Sequence, residues 1–407
     1  MERSAVIVQF AALVATAVAL VAGGDFSAAA TIMVAAQSLL LTAAAYNAYN
    51  RHMGRAYYLR ADLLFPLDAP YWRVIQGGND GAYWQLLRTN KATFDLICER
   101  VDSRLSLWRD GYADAHGGRR RGRPNMLDAR SVIALTMAWL GSSGPNNRLL
   151  EQIFGIGHSV TDRDLHKGLR ALNAALTLIP EARVTWPSPA KMREYDEMFT
   201  EAHGANPYAP HAIFFGSADC LRITVAEPTD DDEQNALYNG WIHCCNRNNF
   251  LVSAPDGTFV WASIGHKGTT HDSVCARDTA GLLLDRTLTP QGAVLFTDSG
   301  FASTPTNDIF ADRFAYKPPA AAVDPNPRVA RQQTLAFQRL QRKSRQLSEH
   351  NNRTLQAVWR RLTKMPWRPD IFNLIMETCV MLHNLNARHV PHSNQSATLY
   401  METYLRP

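Results

Sequence analysis

Two short apolar runs, each carrying an aspartate, constrain this chain more than any other feature in it. The first is Gly216-Ser-Ala-Asp219-Cys-Leu-Arg-Ile223 and the second Val294-Leu-Phe-Thr-Asp298-Ser-Gly-Phe301. Both read as β-strands with the acid at or near the carboxyl end, one within Ala212–Val225 and the other Ala293–Thr297. A buried lone carboxylate is expensive unless it is paired or metal-bound. Open α/β sheets also place ligand chemistry at the carboxyl ends of their strands. Asp219 and Asp298 are therefore candidate ligands, the alternative being hydrogen-bonded aspartates at strand ends.

A third acid lies in Arg345-Gln-Leu-Ser-Glu349-His-Asn-Asn-Arg353-Thr-Leu-Gln356, inside a long helical pattern from about Thr334 to Thr363. From Arg328 to Arg368 there are eleven Lys or Arg and one carboxylate, Glu349. So basic a tract points to an anionic partner, most simply nucleic acid. Two strand-borne aspartates and one helix-borne glutamate are the parts of a two-metal phosphodiester-cleaving site, because Mg²⁺ takes hard oxygen ligands and few of them. Arg345 and Arg353, one turn either side of Glu349, would hold scissile-strand phosphates. The competing reading is a surface glutamate paired with either arginine.

The chain of 407 residues is long enough for two or more folded units, and its net charge of +5 is mild. Its six cysteines show no CxxC spacing, so a reducing compartment is expected. His243, Cys244, Cys245, His271 and Cys275 read as ordinary buried and polar residues rather than as a zinc cluster.

Residues 1–50 form an Ala-rich helical hairpin whose two runs, 5–22 and 28–45, flank Gly23-Gly24-Asp25. Helical packing or homo-oligomerisation is preferred over a membrane anchor, since Gln and Thr interrupt both runs. Residues 60–190 are helical. In a basic loop there, with Arg119, Arg120, Arg121 and Arg123, the core Arg121-Gly-Arg-Pro124 has the chemistry of a minor-groove arm, the alternative being a linker that touches phosphate non-specifically or nothing at all. Within Asn147–Leu165 a helix, a Gly-containing turn and a second helix follow helix-turn-helix logic, offering Ser159, Thr161 and Arg163 to DNA; an ordinary helical hairpin is the alternative.

From His211 the periodicity changes to two. A hairpin of Trp241–Ser253 and Thr258–Ile264 turns at Pro255-Asp256-Gly257, and a helix near Val274–Leu284 precedes the second strand. His271-Asp272-Ser273 opens that helix, with Asp272 as its N-cap or, with His271, orienting a ligand from outside the first shell of a metal. Asp230-Asp231-Asp232-Glu233 reads as a solvated loop, and a last apolar helix runs from Ile371 to Arg388. Strand, hairpin, helix, strand and late helix is the order of an RNase H-like α/β domain, here spanning 205–392 behind an all-α N-terminal region.

The α/β domain, from about 210 to 390, resembles the DDE endonuclease domain of PIF/Harbinger-type transposases and their domesticated relatives. The resemblance rests on Ala218-Asp219-Cys220, Tyr238-Asn239-Gly240-Trp241, Pro255-Asp256-Gly257, Gly268-Thr-Thr-His271-Asp272-Ser273, Thr297-Asp298-Ser299-Gly300-Phe301, Arg345…Glu349…Arg353-Thr354-Leu355-Gln356 and Leu382-His383-Asn384-Leu385, in that order. It implies that Asp219, Asp298 and Glu349 bind Mg²⁺ or Mn²⁺ and cut DNA. It also implies a nuclear setting and a separate DNA-binding partner protein. Cys220-Leu221, Ile242 and His350-Asn351-Asn352 depart from the family pattern. They leave open a catalytically silent descendant acting as a DNA-binding or scaffold protein.

Overall fold

The computed structural model describes residues 63–102, 126–143, 147–203, 212–302, 313–315 and 325–390, with parts of 13–36. The basic loop with Arg119, Arg120, Arg121 and Arg123 lies outside the described residues, as does much of the Ala-rich hairpin. The chain divides into two compact units, Met1–Asp62 and Leu63–Pro407. In the first, helix flanks a turn at Gly23-Gly24, where Gly24 takes a φ of 83° that costs glycine nothing. No helix among the described residues is long and apolar enough to cross a membrane.

The second unit opens with seven helices among its described residues: α1 (Pro70–Gly77), α2 (Asp80–Leu87), α3 (Lys91–Asp102), α4 (Ala129–Leu140), α5 (Arg148–Phe154), α6 (His158–Leu176) and α7 (Pro189–His203). The sequence-predicted pair of helices about a glycine turn is present. Gly155, at φ 65°, ends α5, and α6 begins three residues later. α6 is a core helix, however, burying Thr161, Asp164, Leu165, Leu169 and Leu172. Of the three side chains expected to face DNA, Ser159 is exposed, Thr161 is buried, and Arg163 Nε donates to Asp164 Oδ1 at 2.8 Å.

A mixed sheet follows. Its strands are β1 (Ile213–Thr224), β2 (Tyr238–Asn239), β3 (Cys244–Ser253), β4 (Phe259–Lys267), β5 (Ala293–Phe296) and β6 (Phe314–Ala315). Their order is β2-β3-β1-β5-β6, with β4 also paired to β3; β1, β3 and β4 are antiparallel, whereas β1, β5 and β6 are parallel. The expected hairpin turn holds, with Gly257 at φ 81° and Asp256 Oδ1 accepting from Thr258 N at 3.0 Å.

The acidic run is not a loop. Asp230 caps α8 (Asp231–Leu237) by accepting from Glu233 N, and the three following acids occupy its first turn, where the helix dipole favours them. The helix expected near Val274–Leu284 breaks into α9 (Asp272–Cys275), a 3-10 turn (Ala276–Thr279) and α10 (Ala280–Leu284). Two long helices complete the unit. α11 (Pro327–Val358) starts on Asn326, whose side chain accepts from Arg328 N, and on proline at its first position. α12 (Pro369–His389) is buried along most of its length.

One hydrophobic cluster runs from Tyr71, Phe94, Leu135 and Leu172 in the helical layer through Leu221, Ile223, Leu251 and Phe259 of the sheet to Leu355, Phe372 and Leu382. A second cluster, with Phe215, Ala218, Phe250, Val252, Cys275 and Leu283, fills the space under α9 and α10.

Candidate active site

An irregularity in β1 decides which way Asp219 points. β1 pairs in parallel with β5 through Phe214↔Val294 and then Gly216↔Leu295, so one residue of β1 is extra at this step. Phe214 packs with Phe296, Leu340 and Leu347, on the α11 side, while Phe215 joins the opposite cluster. Simple alternation from Phe214 would return Ala218, not Asp219, to the α11 side. The bulge shifts the parity. Beyond it Ser217 Oγ meets Ser348 Oγ of α11 at 3.1 Å, and Ala218 and Cys220 pack on the other face.

The parallel register then continues Ser217↔Phe296, which sets Asp219 and Asp298 each two residues beyond a paired position on neighbouring strands. Asp298 lies just past the end of β5, as expected. Asp219 is not at a strand end: β1 runs on to Thr224, pairing only with β3. Its carboxylate stands where the parallel neighbour stops.

The surroundings of Asp219 are those of a strained acid. Burial pushes its carboxyl up to about 6; the Cys220 backbone N–H, donating to Oδ1 at 2.8 Å, opposes this, the charge of Asp298 adds to it and that of Arg345 subtracts. Asp272 contributes a further, smaller rise. Asp298 Oδ1 accepts from Gly300 N at 2.8 Å. α11 is tied to the end of β5 by Gln341 Nε2, which donates to Thr297 O at 3.0 Å.

Glu349 does not join the two aspartates. Its side chain is 47% exposed and lies 3.7 Å from Arg345 Nη2, one turn earlier. Arg353 is exposed. The residue that α11 turns toward Asp219 is Asn352, whose Nδ2 donates to Asp219 Oδ2 at 3.4 Å. Among the described residues, no group of three or more His, Cys, Asp or Glu is placed to hold a metal ion. Two hard carboxylates on neighbouring strands still suit a divalent ion in their donor chemistry, and Asn352, beside Asp219, carries a buried Oδ1 that no protein group hydrogen-bonds.

Asp272 is not the helix cap. His271 caps α9, accepting from Ser273 N, while Asp272 accepts from Asn248 Nδ2 at 2.7 Å and from Arg222 Nη2 at 3.1 Å. These partners occupy the strand face carrying Ala218 and Cys220, away from α11. Sequence reasoning passed over Ser348 and Asn352. Their signal is the row Ser344, Ser348, Asn351, Asn352, four polar residues at helical spacing among Leu340, Leu347 and Leu355, all buried.

Residues 218–384, less than half of the chain, match the family model described as DDE superfamily endonuclease. The match begins one residue before Asp219 and includes Asp298, α11 and most of α12. No curated protein and no solved structure matches the chain. The family match supports a transposase-like nuclease region, in a family that generally uses divalent metals and acts on DNA.

Proposed function

We propose that the sheet and α11 form an endonuclease of PIF/Harbinger transposase descent that hydrolyses phosphodiester bonds in DNA. The observation that carries the reading is the Asp219–Asp298 pair, level with each other on neighbouring parallel strands inside the family-matched segment. The strand order, three antiparallel strands continued by two parallel ones, supports the RNase H-like reading. A bound Mg²⁺ or Mn²⁺ would supply Lewis acidity and a water activated as nucleophile.

The remaining work falls to the chain's own groups. Asp219 and Asp298 would hold the cation, and Glu349, released from Arg345, would complete the cluster from α11. Arg345 and Arg353 then neutralise phosphates along the scissile strand, with Arg163 and the Arg119–Arg123 loop extending the DNA contact. Nuclear localisation, a separate DNA-binding partner protein and self-association through residues 1–50 belong to the same reading. Replacing Asp298 by Asn should lower cleavage of a DNA duplex in Mn²⁺ by more than about 100-fold, because even groups that only support a metal ligand cost 10–100-fold when lost. DNA affinity should stay within about twofold, since phosphate contacts dominate it. Undiminished cleavage by this variant would sink the assignment.

One observation favours a second reading, a catalytically silent descendant that binds DNA or acts as a scaffold. Glu349 is paired with Arg345 rather than gathered with the aspartates. Full DNA binding without any cleavage in Mg²⁺ or Mn²⁺ would favour that reading.

A further inference from the structure

We infer that Asn352 is a further member of the cation-binding cluster, its amide oxygen acting as a neutral ligand beside Asp219 and Asp298; this rests on the nuclease reading above. The register of α11 makes Asn352 the residue that faces the first aspartate. Ser348 Oγ, one turn earlier, is bonded to Ser217 Oγ across the interface at 3.1 Å, and Leu347, Asn351 and Leu355, on the flank of the helix away from Glu349, are fully buried. Rolling the helix to exchange Asn352 for Glu349 would break that bond and carry the buried Leu347 toward the solvent-facing flank.

The amide is itself 6% exposed. One edge donates to Asp219 Oδ2 at 3.4 Å, the long limit for such a bond. The other edge, Oδ1, is buried with no hydrogen-bond partner in the protein, and both polar atoms of neighbouring Asn351 share that condition. Leaving a buried carbonyl oxygen unmatched is costly. With a hard divalent ion on Asp219, the amide would turn over so that Oδ1 rather than Nδ2 faces the carboxylate and its cation, since such ions accept carbonyl as well as carboxylate oxygen. If Asn352 served packing alone, a leucine of similar size would suit this buried position, on a helix face that also carries Leu347 and Leu355.

Mn²⁺ binding to the full chain, followed by electron paramagnetic resonance, tests this without relying on turnover. Asn352→Leu should weaken Mn²⁺ at least about tenfold, the lower end of the loss seen when groups that only support a metal ligand are removed, and Asn352→Asp, which adds a charged oxygen, should tighten it. Asn352→Asp keeps the side-chain shape and carries the test if the leucine variant does not fold. Both variants within about twofold of the parent, while Asp219→Asn and Asp298→Asn lose Mn²⁺, would overturn the role of Asn352 and leave the nuclease reading standing. Undiminished Mn²⁺ binding by Asp219→Asn and Asp298→Asn, or no binding by the parent protein, would overturn both.

Discussion

Asp219 is held in a state that favours its proton. Burial is the main cause, and Asp298 adds to it, so the folded carboxyl sits near 6 against an ordinary value of 3.8. The sign follows from linkage. The folded chain binds this proton more tightly than the unfolded one, so the associated stability is complete below about pH 4 and is lost as pH rises through 6. At about 1.4 kcal/mol per unit, the loss by pH 8 is roughly 3 kcal/mol. Asp219→Asn should therefore melt higher than the parent at pH 8 in EDTA, while the two converge near pH 3.5. A saturating divalent ion should narrow the gap at pH 8 by stabilising only the parent. Equal melting temperatures at both pH values would show that the carboxylate is not desolvated.

Among the elements, α12 shows that a motif can be structural. His383 and Asn384 hold the tip of the β3–β4 hairpin: His383 Nε2 lies 3.0 Å from Gly257 O, and Asn384 exchanges two bonds with the backbone of Phe259 at 2.7 and 2.8 Å. Asn384→Ala leaves a buried N–H and a buried C=O unpaired and should cost roughly 2–4 kcal/mol in urea unfolding. A loss below about 1 kcal/mol would mean that the hairpin tip relaxes into water. Both strands bearing the aspartates, the hairpin with its turn, and the two late helices were legible in the sequence, because period-two and period-3.6 patterns and Pro-Asp-Gly are local signals. The bulge in β1 was not, since it exists only in pairing with β5. For the same reason the sequence put an acid on the right strand without saying which face it takes. Asp272 and the Asp230 run were misread because competition for a cap depends on which side chain reaches the free N–H groups.

On the scale of the whole molecule, the helical layer and the sheet share one core, so the nuclease region is not expected to fold alone. Leu221, Ile223, Leu251 and Phe259 belong to the same buried cluster as Phe94, Leu135 and Leu172. Polar contacts cross the same seam. Thr89 Oγ1 donates to Asn386 Oδ1 at 2.8 Å, Asn386 Nδ2 to Arg88 O at 2.8 Å, Asn173 Nδ2 to Thr378 Oγ1 at 3.1 Å and Arg361 Nη2 to Ser142 Oγ at 3.0 Å. Arg361 is also stacked over Trp139, with 4.4 Å from its guanidinium to the ring centre. Cutting the chain before the sheet would uncover the apolar face of α12 and leave each of these buried groups without its mate, a combination that exceeds the usual margin of stability. Residues 205–392 expressed alone should therefore bind a hydrophobic dye and lack near-ultraviolet circular dichroism, the marks of a compact state without fixed packing. Residues 63–407 should instead unfold in one cooperative transition seen alike by fluorescence and calorimetry. Two separated transitions in the longer chain, or a well-packed 205–392 fragment, would show that the sheet has a core of its own and that the helical layer is an attachment rather than half of the same hydrophobic unit.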